Sequence, residues 1–230
     1  MKKFLSISMM ALALVFASSC SKDEEPSAEK CVNTWVTDEL ALTEIVDVED
    51  IFGDKVPAEL QPVLAAQLNN LKFKVALDFA ADGNGKGGVV IEKTKLNLVE
   101  TAIQALLTQY ADKLKPEELA KLNELLATVK PMLDNLKDGD LVGAQFTYSA
   151  TPTDSDSGRI VATYKDLDEE GNPKDETMEF VYSGLSDNTI TLTSVTEGKT
   201  ESISFKSAAS ANVTIGNFVD VAALGSLIEK

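Results

Sequence analysis

Phe180-Val181-Tyr182-Ser183-Gly184-Leu185-Ser186-Asp187-Asn188-Thr189-Ile190-Thr191-Leu192-Thr193 is the stretch that decides how this chain is built. Apolar residues fall at every second position on either side of a Ser-Asp-Asn turn, with hydroxyl residues on the opposite face. A period of two with unlike faces marks a half-buried strand, and two such runs around a polar turn mark an antiparallel hairpin. The same beat runs through the neighbouring sequence. Phe146 and Tyr148 alternate with Gln145, Thr147 and Ser149; Ile160, Ala162 and Tyr164 flank Val161 and Thr163; Met178 leads into Phe180; Ile203 and Phe205 close the series. Turn formers sit between the runs at Asp154-Ser155-Asp156-Ser157-Gly158, Glu170-Gly171-Asn172-Pro173 and Glu197-Gly198. From Ala144 onward the chain reads as an antiparallel meander of five strands.

Toward the N-terminus the same period appears in Leu71, Phe73, Val75, Leu77 and Phe79, set against Lys72, Lys74, Ala76 and Asp78. Asp82-Gly83-Asn84-Gly85-Lys86-Gly87-Gly88 reads as a loop and Val89-Val90-Ile91 as the returning strand, so residues 71–95 are expected to form a hairpin. The period then changes. Leu96, Val99, Ile103, Leu106, Leu107, Tyr110 and Leu114 recur at helical spacing, as do Leu119, Leu122, Leu125, Leu126 and Val129 after the helix-starting Pro116. Pro131 is expected to bend or stop the second helix, and Asp138-Gly139-Asp140 to end it. Residues 96–137 are thus expected to be an αα-hairpin inserted between strands. Pro57 opens a further helix-like stretch that Pro62 should shorten or kink, and residues 38–54 fit neither period. Cys31-Val32-Asn33-Thr34-Trp35-Val36 reads as a first strand, and Phe218 to Ile228 as a short C-terminal helix.

These strands number about eight. A meander of that size hides its edges best by closing into a barrel. The fold class expected is mainly β with a helical insertion (α+β): an antiparallel barrel of about eight strands carrying an αα-hairpin. On Asn33-Thr34-Trp35, the strand followed by Asp82-Gly83, and the 180–193 hairpin, the chain resembles the lipocalin-like lipoproteins of the Bacteroidetes. Asn33 stands where a lipocalin's first-strand glycine would be. The resemblance implies a barrel that is either filled by side chains or holds one small apolar ligand.

The N-terminus carries an address. Lys2 and Lys3 precede an apolar run from Phe4 to Phe16, followed by Ala17-Ser18-Ser19-Cys20. The run is about 13 residues, short of the roughly 20 a spanning helix needs, so it reads as a secretory signal. It resembles a bacterial lipoprotein signal peptide, which implies lipidation of Cys20; an ordinary cleaved signal is the alternative. Ser21, Lys22, Asp23, Glu24 and Glu25 are similar to the export tag of Bacteroidetes surface lipoproteins, implying an outer-membrane anchor exposed at the cell surface, with the periplasmic face as the alternative. The expected organisation is a signal over 1–19, a flexible tether over 20–30 and a single domain over 31–230.

Composition narrows the chemistry. The chain holds 21 basic and 37 acidic residues. Losing Lys2 and Lys3 with the signal leaves 19 against 37, a formal charge of −18, which opposes binding to nucleic acid. Histidine is absent, which removes His-based acid–base catalysis, Ser-His-Asp and Cys-His arrangements and His-containing zinc sites. With Cys20 lipidated, Cys31 has no intramolecular partner and reads as a small buried residue. Asp82-Gly83-Asn84-Gly85, Asp154-Ser155-Asp156-Ser157 and Asp166-Leu167-Asp168-Glu169 cluster oxygens, but none completes a calcium loop, and all coincide with turns. No catalytic residue, metal or cofactor is expected. The reading is a non-enzymatic, membrane-anchored lipocalin-like protein that binds a small apolar ligand or a protein partner; the alternative is a structural or interaction lipoprotein with a filled core. The apolar set Phe73, Phe79, Phe146, Tyr148, Tyr164, Phe180, Tyr182 and Phe205 would form either the core or the pocket.

Overall fold

Alternating sequence becomes alternating burial along one continuous sheet. The computed structural model describes residues 28–45, 60–112, 114–167, 173–196 and 199–221. The signal, Cys20, the tag Ser21 to Glu25, Pro57, and the turns around Gly171 and Gly198 lie outside them. Strands β1 (Asn33–Thr37), β3 (Lys72–Phe79), β4 (Asn84–Val90), β5 (Leu141–Pro152), β6 (Gly158–Leu167), β7 (Pro173–Ser183), β8 (Thr189–Thr196) and β9 (Lys199–Ser207) pair antiparallel in chain order. β1 closes the ring. It pairs β9 through Trp35↔Ser207, Val36↔Lys206 and Thr37↔Phe205, and β3 from Asn33↔Phe79 to Val36↔Ala76. The result is a closed eight-stranded barrel of lipocalin-like architecture, as the sequence led one to expect.

The register sets the inner face. Leu77 lies opposite Trp35, Tyr164 opposite Phe146, Phe180 opposite Ile160, Leu192 opposite Tyr182 and Phe205 opposite Ile190. The outer face of β5 to β9 is polar. Hydroxyls meet across strands at Thr191–Ser204 (3.0 Å) and Thr193–Ser202 (2.9 Å), and Arg159 pairs with Glu179. A membrane-spanning barrel needs an apolar outer band; this wall is greasy inside and wet outside.

Beyond the ring, two-residue β2 (Leu40–Ala41) extends the edge of β3, and α1 (Leu42–Ile45) and α2 (Gln61–Leu68) follow. Pro62 lies in the first turn of α2, where a missing N–H costs nothing, so it starts this helix instead of kinking it. Helices α3 (Lys93–Tyr110) and α4 (Pro116–Asn135) form the expected insertion. Pro131 does not stop α4, which runs on to Asn135, whose side-chain amide donates to the Pro131 carbonyl at 2.9 Å. Ile103 and Leu107 of α3 pack with Leu60, Leu64 and Leu68 into a helical cluster of their own.

Three further segments differ from the sequence expectation. Residues 28–30, expected in the tether, and Cys31, expected in the first strand, form a 3₁₀ helix, Ala28–Cys31, leading into β1. The glycine-rich run is not a loop: the chain turns at Ala80 to Gly83, with Gly83 at φ +82°, and β4 starts at Asn84. Glycines fill that strand because neighbours come too close for side chains. A Cβ on Gly85 would lie 2.2 Å from the Phe146 ring, and one on Gly143 would lie 1.8 Å from the Gly87 carbonyl oxygen. Of the expected C-terminal helix, residues 222–228 lie outside the described ones, and Phe218–Asp220 is not helical. It is strand β10, parallel to the start of β5, on the edge that β6 leaves free. The segment leading to it straps the outside of the barrel: Ala208, Val213, Ile215 and Phe218 cover the outward-facing Val36, Ala76, Val90 and Leu141. Buried Asp140 fastens the strap by accepting the Asn217 backbone N–H at 3.1 Å and the Lys137 backbone N–H at 2.9 Å.

Candidate ligand site in the barrel

The two ends of the barrel are built differently. One end is sealed. The 3₁₀ helix brings Cys31 over the axis, and the Trp35 indole N–H donates to the Cys31 carbonyl at 3.0 Å. The Tyr182 hydroxyl donates to the Cys31 sulfur. Burial pushes the Tyr182 phenol up to about 12 and raises the Cys31 thiol as well. Phe79 stacks edge-on against Phe146 (5.7 Å between centroids) and Tyr148 (4.8 Å), and the Tyr148 hydroxyl donates to the Ala80 carbonyl at 2.7 Å. Leu185 plugs the same end, its backbone N–H bonded to the Asp156 carbonyl at 2.9 Å.

The opposite end is where the helices attach. Leu96 of α3 and Leu133 and Leu136 at the end of the insertion pack with Phe73, Val75, Val89 and Val142, covering the β3–β4–β5 side of the mouth. Lys95 ties this cover to the loop after β1, with Glu39 at 2.8 Å and Glu92 at 2.7 Å. The salt bridge to Glu39 holds that carboxyl below its usual range. The β6–β9 side carries no such cover among the described residues, and its wall is split. β7 pairs β6 through ten rungs but β8 through only three, Val181 to Ser183.

Burial along the inner wall follows this division only in part: Tyr148 and Ala150 near the sealed end are half-buried, and Ser194 near the mouth is buried. Trp35, Ile160, Ile190 and Tyr182 are at most 1% exposed, whereas Leu77, Phe146, Tyr164, Met178 and Ile203 share the inner face and are only half-buried. Leu77, Phe146, Met178 and Ile203 pack against the buried cluster around Trp35 and Tyr182 while keeping part of their surface accessible. The space above the inward glycines Gly85 and Gly87 is taken by the Phe146 ring and the Leu77 side chain, so the glycines add no void.

The eight aromatics picked out from sequence therefore divide. Tyr182 and Phe205 belong to the sealed core, with Phe79 and Phe180 beside them; Phe146 and Tyr164 face the accessible part; Phe73 is taken by the helix cover. The hydroxyls of Tyr148 and Tyr182 are engaged with Ala80 and Cys31. Sequence reading passed over the aliphatic wall of Leu77, Met178 and Ile203 because aromatics dominated the inward set. Its signal was already present as the same two-residue beat.

The acidic turns hold their own backbones. Asp82 accepts the Asn84 backbone N–H at 3.0 Å and its side-chain amide at 2.9 Å, which lowers the Asp82 carboxyl below its usual value. Among the described residues no three metal-ligating side chains converge, and no helix is long and apolar enough to cross a membrane. Comparison with protein-family models, curated proteins and solved structures finds no match to this chain.

Proposed function

We propose that this chain is a non-enzymatic, lipocalin-like carrier, tethered to the bacterial envelope through a lipid on Cys20, that takes a small apolar ligand into the open half of its barrel. The observation that carries the reading is the graded burial of the inner wall, complete around Trp35 and Tyr182 and only partial around Leu77, Met178 and Ile203. Binding sites for small molecules are mostly apolar concavities with few polar groups, and the open half fits that description. The address rests on the signal-like N-terminus, with Ser21 to Glu25 supporting display on the outer surface. Two or more acyl chains on Cys20 would suffice to hold the protein at the membrane.

Two measurements test this. Uptake of the neutral fluorescent probe N-phenylnaphthylamine by the purified chain, together with mass spectrometry of protein extracted from its native membrane, is expected to reveal an occupied or occupiable interior. No uptake and no copurifying apolar molecule would instead favour the filled barrel acting through its surface. Metabolic labelling with a fatty acid is expected to mark the protein and to fail in Cys20→Ala; labelling that persists in the variant would remove the anchor.

A further inference from the structure

The two ends of the barrel stand at different distances from Cys20 along the chain. The chain enters the fold at Ala28, where the 3₁₀ helix that closes the sealed end begins. Cys31, at the end of that helix, is held by Trp35 and Tyr182, which keeps the point of entry at this end. Eight residues along the chain separate Ala28 from Cys20, and they reach at most about 28 Å when fully extended. The mouth lies at the other end of β3, eight residues from Phe79 back to Lys72. A barrel strand of that length, tilted by about 40°, gives about 20 Å of height. The insertion adds to it. Leu96, Leu133 and Leu136 hold helix ends over the β3–β5 side of the mouth, a layer about 10 Å thick. With the mouth turned to a bilayer, Ala28 would stand about 30 Å from its surface, beyond the reach of the residues that tie it to Cys20. With the sealed end turned to the bilayer, the same residues have reach to spare. Charge does not reverse this order. The turns of the sealed end and the 3₁₀ helix expose Asp82, Asp154, Asp156, Asp187 and Glu29 against Lys30, so an anionic lipid surface pushes them away. That force fades over a Debye length of about 8 Å, a gap the link to Cys20 spans.

We infer that the short link to Cys20 holds the protein with its sealed end toward the bilayer and its mouth and helical insertion away from it, so that cargo enters from the aqueous side and not from the membrane beneath. The inference rests on the Cys20 anchor proposed above. It is tested with the lipidated mature chain, extracted from its native membrane and reconstituted on phosphatidylcholine vesicles that carry an acceptor dye among their lipids. A donor dye is placed on Ser155→Cys at the sealed end or on Lys137→Cys at the mouth. Both positions are exposed, and the remaining thiol, Cys31, is buried. Energy transfer to the vesicle is expected to be several-fold stronger from Ser155→Cys. Inserting about twenty Gly and Ser residues after Glu25 adds about 70 Å of reach and should bring the two signals toward equality. Equal transfer from the two positions without the insertion, or stronger transfer from Lys137→Cys, overturns the inference and leaves the anchor standing. An undiminished preference for Ser155→Cys after the insertion also overturns it, since a docked surface and not the link would then set the orientation. Failure of both labelled chains to float with the vesicles, as expected of Cys20→Ala, removes the anchor and this inference together.

Discussion

The same eight strands build a sealed end and an open end, and they differ in what lies across the axis. At the sealed end a single turn of 3₁₀ helix delivers one carbonyl and one thiol, and each takes a hydrogen bond from a large buried side chain, Trp35 or Tyr182. Large rings with satisfied polar tips can be packed without leaving a buried donor unpaired. At the open end the cover is lopsided, helices over β3 to β5 and none over β6 to β9 among the described residues, and β7 leaves β8 after three rungs. One end therefore supplies the rigid packing and the other the access, a division that the proposed carrier would use to exchange cargo without unfolding.

Substitutions at the two ends should separate stability from binding, and the largest effect belongs to Trp35. Trp35→Ala removes a ring with no exposed surface and the hydrogen bond to Cys31. Urea titration is expected to show a loss of about 3–5 kcal/mol. A loss below about 1 kcal/mol would mean the sealed end is not where stability resides. Next comes the strand crossing that shapes the barrel. Gly143→Ala puts a methyl into the backbone of β4 beside Gly87 and Gly88, where no side chain can rotate away, and is expected to cost about 1–3 kcal/mol by the same titration.

The alkaline limb of stability should report the sealed end specifically. Burial raises Tyr182 from 10.0 to about 12, so above about pH 10 the unfolded chain releases a proton that the folded chain keeps. The unfolded state then binds fewer protons, and stability falls as pH rises from 10 toward 12, by up to about 1.4 kcal/mol per pH unit for one such group. Cys31, also raised by burial, adds a slope of the same sign that begins lower. Tyr182→Phe should flatten the limb above pH 10 relative to the parent chain. An unchanged slope would show that the phenol is already free to ionise in the folded state.

How much of this was legible depended on whether a residue speaks through its own side chain. Phe146, Tyr164, Phe180 and Phe205 carry the two-residue beat, and the barrel followed from it. Gly85 and Gly87 carry no side chain and so no beat; their run reads as a loop, although spacing by two was the mark of a strand whose inner face is filled from across by Phe146 and Leu77. Phe218–Asp220 is a strand because of a partner more than seventy residues away, at Leu141, which no local pattern announces. Pro131 sits inside a helix that neighbouring turns carry past it. The division into sealed and open halves was equally hidden. Leu77 and Phe79 belong to one strand, one face and one pattern, and only what lies above each of them decides that Phe79 is buried and Leu77 is not.

That hidden difference gives the smallest expected effect and the sharpest test. Met178 and Ile160 both point inward on neighbouring strands, yet Ile160 is fully buried and Met178 half-buried. Shortening a side chain costs stability through the contacts it loses and the cavity it leaves. Met178 already borders accessible space, so truncation creates little new void. Met178→Ala is expected to change stability by about 1 kcal/mol or less, while Ile160→Ala loses about 2–5 kcal/mol. Probe affinity should respond in the opposite order, shifting with Met178→Ala and holding in Ile160→Ala wherever that variant remains folded. Equal stability losses at the two positions would mean that the interior is packed alike from end to end, and a barrel so packed leaves no room for cargo.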